Sequence, residues 1–213
     1  MTAAADFLSD VAAARLMLAG VVSTPALMPK GAMSVALLSP DEPAWWPHLK
    51  TMPEWQDGQP DPVDRWSARV LSQIAGNCGG TAILPSDGPP YAPFYSWALE
   101  SGRCHSSPVR LLVHAEAGLF ISFRGAIALP FCVALPALAS PCLSCVDRPC
   151  LTACPAAALG AEGYDVPACH SFLDRPEGAD CLTGGCRVRR ACPVGKGRRD
   201  PSQSAHHMRY FHK

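Results

Sequence analysis

No uninterrupted run of eighteen apolar residues occurs in the chain, so no membrane-spanning helix and no membrane partner are expected. Net charge is also lacking, since 18 Lys and Arg balance 18 Asp and Glu. Without a global electrostatic pull, nucleic acid is not among the expected partners. No G-x-G-x-x-G and no P-loop is present, which leaves dinucleotide and nucleotide chemistry of those kinds without a motif. The first residues carry no basic n-region, and Asp6 and Asp10 break any apolar h-region, so export is not expected. A secreted disulfide framework is then not the expected use of cysteine.

Cysteine is plentiful. Eight of the eleven fall between Cys142 and Cys192. The segment opens as Pro141-Cys-Leu-Ser-Cys-Val-Asp-Arg-Pro-Cys-Leu-Thr-Ala-Cys-Pro155 and closes with Cys181-Leu-Thr-Gly-Gly-Cys186 and Cys192-Pro193. The bacterial ferredoxin run is C-x2-C-x2-C-x3-C-P, whose fourth thiolate crosses to the other cluster of a pair. Here the first run has two extra residues before Cys150, and the second, from Cys169 to Cys192, is stretched further. Eight thiolates are what two [4Fe-4S] clusters need. Structural zinc is the competing reading, but it wants two clean C-x-x-C pairs, and only Cys142 and Cys145 have that spacing. Crossed pairing assigns Cys142, Cys145, Cys150 and Cys192 to one cluster. It assigns Cys169, Cys181, Cys186 and Cys154 to the other. The proline after each crossing cysteine is expected to end a short helix there.

Length suggests one ordinary domain plus a small cluster module, divided as 1–135 and 136–213. Residues 181–213 carry eight Lys and Arg against the single Asp200. That basic tail reads either as a dock for an acidic electron donor or an RNA or, more simply, as a solvated, partly mobile terminus. In order, Ala3 to about Leu18 reads as one amphipathic helix through Phe7, Val11, Ala14 and Leu18. Met33–Leu38 and Thr81–Leu84 read as buried strands. Glu42–Lys50 reads as a short helix whose Trp45 and Trp46 either stack on a cofactor or fill the core. Asp61-Pro62-Val63-Asp64 is a helix start with Asp61 as cap and Pro62 in the first turn, and Gly79-Gly80 closes that helix. A short helix holds Phe94 and Trp97. Val109–His114 and Leu119–Leu129 read as a β-hairpin turning at Gly118, and 130–141 as a linker. The predicted class is α+β, with a mostly antiparallel sheet followed by a small ferredoxin-like two-cluster module.

The layout resembles the cobalamin-dependent epoxyqueuosine reductases and, more distantly, the reductive dehalogenases. Cys169-His-Ser-Phe-Leu173 is similar to the start of the reductase family's second run. The N-terminal part also resembles the CblC-type cobalamin-processing proteins. It shares the Asp-Pro-Val-Asp helix start at 61–64, the small-residue strand entry Gly79-Gly-Thr-Ala82 and the ending Phe123-Arg-Gly-Ala-Ile-Ala-Leu-Pro130. The resemblance implies a nitroreductase-like domain that binds base-off cobalamin, and it places Arg124 in the cofactor or thiol site. Two departures stand out. An acid used by the reductases is replaced by Arg124-Gly125-Ala126, and the domain is shorter. No Asp-x-His-x-x-Gly motif is present, so histidine-on corrinoid binding is not expected.

Among single residues, Arg124 is either a paired structural arginine or an anchor for an anion or a corrin side chain. His114 either faces that cofactor or is a strand residue without such a role. Tyr91 and Tyr95 are weaker candidates for proton donors. Cys78, Cys104 and Cys132 read as ordinary small apolar residues, and His206, His207 and His212 as a tail patch. The expected protein is cytoplasmic. Two clusters pass electrons from a ferredoxin- or flavodoxin-type donor to cobalamin, which reduces a small molecule or is itself processed. A ferredoxin-type carrier without cobalamin and a flavin-dependent reductase are the alternatives.

Overall fold

The computed structural model describes residues 2–212, apart from the Pro25 side chain. In chain order the elements are α1 (Ala3–Ala13), β1 (Leu16–Val22), β2 (Ser34–Pro40), α2 (Trp45–Lys50), α3 (Pro53–Gln56) and α4 (Pro62–Cys78). Next come β3 (Thr81–Ile83), α5 (Phe94–Glu100), β4 (Cys104–Ser106), β5 (Leu112–His114) and β6 (Gly125–Leu129). The remainder is β7 (Leu159–Gly160), β8 (Gly163–Tyr164), α6 (Val166–Leu173), α7 (Ala179–Gly184), α8 (Arg187–Ala191) and α9 (Pro201–Phe211). Every strand pair among the described residues is antiparallel, and the class is α+β. No helix among them is long and apolar enough to cross a membrane.

The chain divides into two compact units, Met1–Arg103 with Ser122–Leu138 and Cys104–Ile121 with Ala139–Lys213. In the first, β1, β2, β6 and β3 form one sheet in that order. Both central strands are buried along their whole length, so they read as unbroken apolar runs rather than as alternation. Helix α1 buries Phe7 and Val11, while α4 buries Trp66, Val70, Leu71 and Ile74. These residues share one core with Trp45, Trp46 and Leu49. Trp45 meets the Trp66 ring edge-on at 5.6 Å, and Trp46 meets Trp55 at 4.9 Å. Trp45 and Trp46 are thus core residues.

Several sequence expectations change. The N-terminal helix stops at Ala13, Arg15 turns with a positive φ of 55°, and Leu16–Val22 is a strand. Pro62 opens α4 as expected, but Asp61 adopts a left-handed conformation and its side chain makes no cap hydrogen bond. Gly79 closes α4 at φ 67°. The expected hairpin does not form. β5 pairs with β4, whereas β6 pairs with β2 and β3. Gly118 does supply a positive φ of 59°, in a tight turn bridged by His114. Phe131 and Val133, read as linker, pack into the first unit's core.

Among the described residues, the second unit has two small cores. Val109, Val113, Leu119, Leu159 and Val188 pack with Cys150 and Cys192. Leu173 and Met208 pack with Cys181. The first of these explains why Cys104–Ile121 groups with the cysteine-rich segment, where the sequence boundary near 135 left it with the N-terminal part. The basic tail is not a solvated strand of chain either. It folds as α9, capped by Asp200, whose carboxylate accepts from the Ser202 N–H at 2.7 Å. Gln203, Ser204, Ala205 and Met208 are buried as α9 packs on α7.

Candidate metal centres and ligand cavity

The eight segment cysteines line two cavities, four to each. One is bounded by Cys142, Cys145, Cys150 and Cys192, together with Val113 and Leu119. The other is bounded by Cys154, Cys169, Cys181 and Cys186, together with Leu173 and Met208. These are the same two crossed sets that the motif spacing assigns. Short turns deliver the first set: single helical turns at Pro141–Leu143 and Pro149–Leu151 carry Cys142 and Cys150, and Cys192 caps the end of α8. The proline after Cys192 does follow a helix end, but Cys154 lies beyond its helical turn, in irregular chain. Helices α6 and α7 carry Cys169 and Cys181, and Cys186 caps the start of α8.

The electrostatics follow the same partition. Burial pushes the Cys142 and Cys150 thiols above their ordinary range, and sulfurs of their own set push them further. Burial likewise raises Cys169 and Cys181, and the sulfurs that add to it again belong to their own set. Raised thiols stay protonated near neutral pH, so binding a cation there must release protons. The cavities measure only about 20 Å³ and 30 Å³, too small for an organic ligand. Among the described residues, no group of three or more His, Cys, Asp or Glu is arranged to hold a single metal ion. What remains is four sulfurs around a small void, with neither carboxylate nor imidazole in the lining. Such a soft, all-thiolate donor set fits an iron–sulfur cluster in ligand type and number.

The second set has neighbours that sequence reading did not single out. The Tyr164 hydroxyl donates to the Cys169 sulfur at 3.4 Å, and burial followed by that bond pushes its own pKa up. Its ring stacks on Phe211 at 6.0 Å, and Phe211 also takes the edge of His170. On α8, Arg187 and Arg190 both pair with Asp180. Arg189 does not. Part of its side chain reaches solvent, yet protein crowds it enough for burial to pull its pKa down, while Cys186 and Tyr164 pull it back up. A tyrosine five residues before Cys169 was the available signal, but nothing in the spacing marks Arg189.

The first unit holds a separate cavity of about 290 Å³, lined by Asp64, Ser67, Leu84, Phe123 and Arg124 among others. The start of α4, the end of β3 and the start of β6 meet there. Arg124 has its guanidinium carbon 5.8 Å from the Trp45 ring centre, and its Nε is buried without a hydrogen-bond partner among the described residues. Burial pulls the arginine's pKa down, and Asp64 and Glu42 pull it up.

His114 is placed differently, in the second unit. It is fully buried at the end of β5, where Nδ1 accepts the Glu116 and Ala117 N–H groups of the following turn, each at 3.1 Å. The ring tautomer is thereby set with the proton on Nε2. Tyr91 and Tyr95 are exposed and line none of the three cavities described. His212 pairs with Asp174 at 3.0 Å rather than standing in a loose patch. Compared with known proteins, the chain matches no family model, no curated protein and no solved structure.

Proposed function

We propose that the chain is an iron–sulfur redox protein with two [4Fe-4S] clusters in a ferredoxin-like unit, which pass electrons to a site in the nitroreductase-like unit. Cys142, Cys145, Cys150 and Cys192 would hold one cluster. Cys154, Cys169, Cys181 and Cys186 would hold the other. The supporting observation is the division of exactly these eight cysteines into two four-sulfur cavities, with Cys78, Cys104 and Cys132 lining neither. The clusters supply one-electron chemistry, while the chain supplies thiolates, an apolar shell and the charges that set potentials. The electron donor would be a low-potential ferredoxin- or flavodoxin-type protein.

The proposed occupant near Arg124 is base-off cobalamin, with a small substrate or the corrinoid itself as the species acted on. The fit is partial. A cavity of about 290 Å³ lies just below the usual range for drug-sized ligands, and a corrin ring is larger than those. Arg124 and Asp64 suit one polar side arm of a corrin, not the ring, and no reaction step is derived through cobalt. The small cavity favours a second reading, a ferredoxin-type carrier that binds no cobalamin. A flavin-dependent reductase meets the same limit, because a flavin nucleotide also exceeds that volume.

Titrating cluster-loaded protein with cobalamin separates these readings. Micromolar binding, a free energy of about −8 kcal/mol, is expected with a blue shift of the cobalamin absorbance. Arg124→Ala should weaken it by about 1–3 kcal/mol, the scale for losing a charged hydrogen bond. Absence of a shift with a folded, loaded sample would promote the carrier, and tight flavin binding would promote the reductase.

A further inference from the structure

We infer that Arg189 and Tyr164 hold the cluster on Cys154, Cys169, Cys181 and Cys186 at a higher reduction potential than its partner on Cys142, Cys145, Cys150 and Cys192. This inference rests on the two-cluster reading. Reduction adds one electron and no atom, so the added negative charge is what the surroundings must stabilise. Potentials of such clusters are set by nearby charge, hydrogen bonds to sulfur and solvent exposure.

Exposure does not separate the two sets. Each mixes closely buried cysteines (Cys150 and Cys192 in one, Cys181 in the other) with partly exposed ones. Charge and hydrogen bonding do separate them. The first set has the Ser140 hydroxyl beside Cys142, and the cation acting on that sulfur is Arg148, which is exposed and screened by solvent. Each set has one sulfur that a backbone N–H favours, Cys150 in the first and Cys181 in the second, but the second also has a phenol hydroxyl donating to the Cys169 sulfur at 3.4 Å. The second set has, in addition, Arg189, three residues along α8 from Cys186 at the helix cap and so on the same side of the helix, where its charge acts on Cys186 and Tyr164.

The arrangement of α8 makes Arg189 specific. Arg187 and Arg190 share the one carboxylate of Asp180, which offsets one of their two charges, and both side chains are more than a third exposed, so solvent screens the remainder. Arg189 forms no ion pair with a carboxylate among the described residues. Its charge is therefore left to interact with the thiolates, in a setting where protein screens it less than water would. Tyr164 adds a donor to the same site, and its stacking on Phe211 of α9 fixes the ring. Docking of the C-terminal helix thus bears on the potential of one cluster, through Phe211 on the Tyr164 ring and through Met208 in the cavity lining.

The test is a potentiometric titration of anaerobically reconstituted full-length protein, followed by electron paramagnetic resonance. Wild type should show two one-electron couples, and the Cys192→Ala variant identifies which belongs to the second set. Arg189→Gln should lower that couple until the reduced-to-oxidised ratio at fixed potential falls about tenfold, which is about 59 mV for one electron. The other couple and the iron content should not move. Arg189→Lys should restore most of the shift, Tyr164→Phe should lower the same couple, and Arg190→Gln should leave both in place. Eight irons with no shift in Arg189→Gln and Tyr164→Phe, or an equal shift of both couples, overturns the inference and leaves the two-cluster reading intact. Wild-type protein that takes up no iron–sulfur cluster overturns both.

Discussion

Replacing Cys192 with alanine is expected to remove about half of the iron, roughly four of eight atoms per chain, and to abolish the cluster built on the first cysteine run. The prediction is counter-intuitive in sequence. Cys192 lies only six residues from Cys186 but forty-two from Cys150. In space it belongs with the distant run, lining the cavity of Cys142, Cys145 and Cys150 and packing beside Cys150 and Val188. Gly118 shows how closely that corner is built, since a Cβ there would lie 2.1 Å from the Val194 carbonyl oxygen and 3.2 Å from the Cys192 sulfur. The reciprocal change, Cys154→Ala, should strip the second cluster and spare the first. Mössbauer or paramagnetic resonance spectra of the two variants check the assignment. Loss confined to the second cluster in Cys192→Ala would contradict the crossed pairing.

Removing the metal should unfold the second unit and leave the first standing. Among the described residues, one core of the first unit gathers seventeen buried residues, whereas those of the second unit gather seven and three. Cores that small supply too little burial to offset chain entropy without a staple. Metal ligation in small metal-organised folds contributes on the order of 10 kcal/mol, which is larger than the whole stability of many domains. All five tryptophans, at 45, 46, 55, 66 and 97, lie in the first unit, so their emission reports on it alone. Chelation of iron under anaerobic conditions should leave that emission at a buried wavelength while protease begins to cut within 104–121 and 139–213. A red shift that tracks iron loss, or first cuts within 60–100, would show that the units do not separate in this way.

Helix α4 and strands β2 and β3 were legible because local signals agreed there, with Pro62 at a helix start, Gly79 at its end and short apolar runs between turn residues. Strand β3, however, lies at the sheet edge and is not the buried strand its apolar run suggests. Strand β1 was hidden because Leu18 continues the helical spacing of Phe7, Val11 and Ala14, and only the turn at Arg15 breaks it. The partners of β5 and β6 were hidden for another reason. Two apolar segments around a glycine look like a hairpin, but which strand each one joins is decided by burial elsewhere in the chain. Around the two sulfur-lined cavities, the grouping of the cysteines matches the crossed sets expected from motif spacing. Arg189 and the Tyr164 contact were not legible, because they depend on how α8 and α9 turn their side chains.

The most direct test is the iron and acid-labile sulfide content of anaerobically reconstituted, full-length protein. Two clusters on the eight cysteines predict about eight iron and eight sulfide per chain. A content near four of each would remove one cluster, and tight zinc with no sulfide would contradict the iron–sulfur reading altogether.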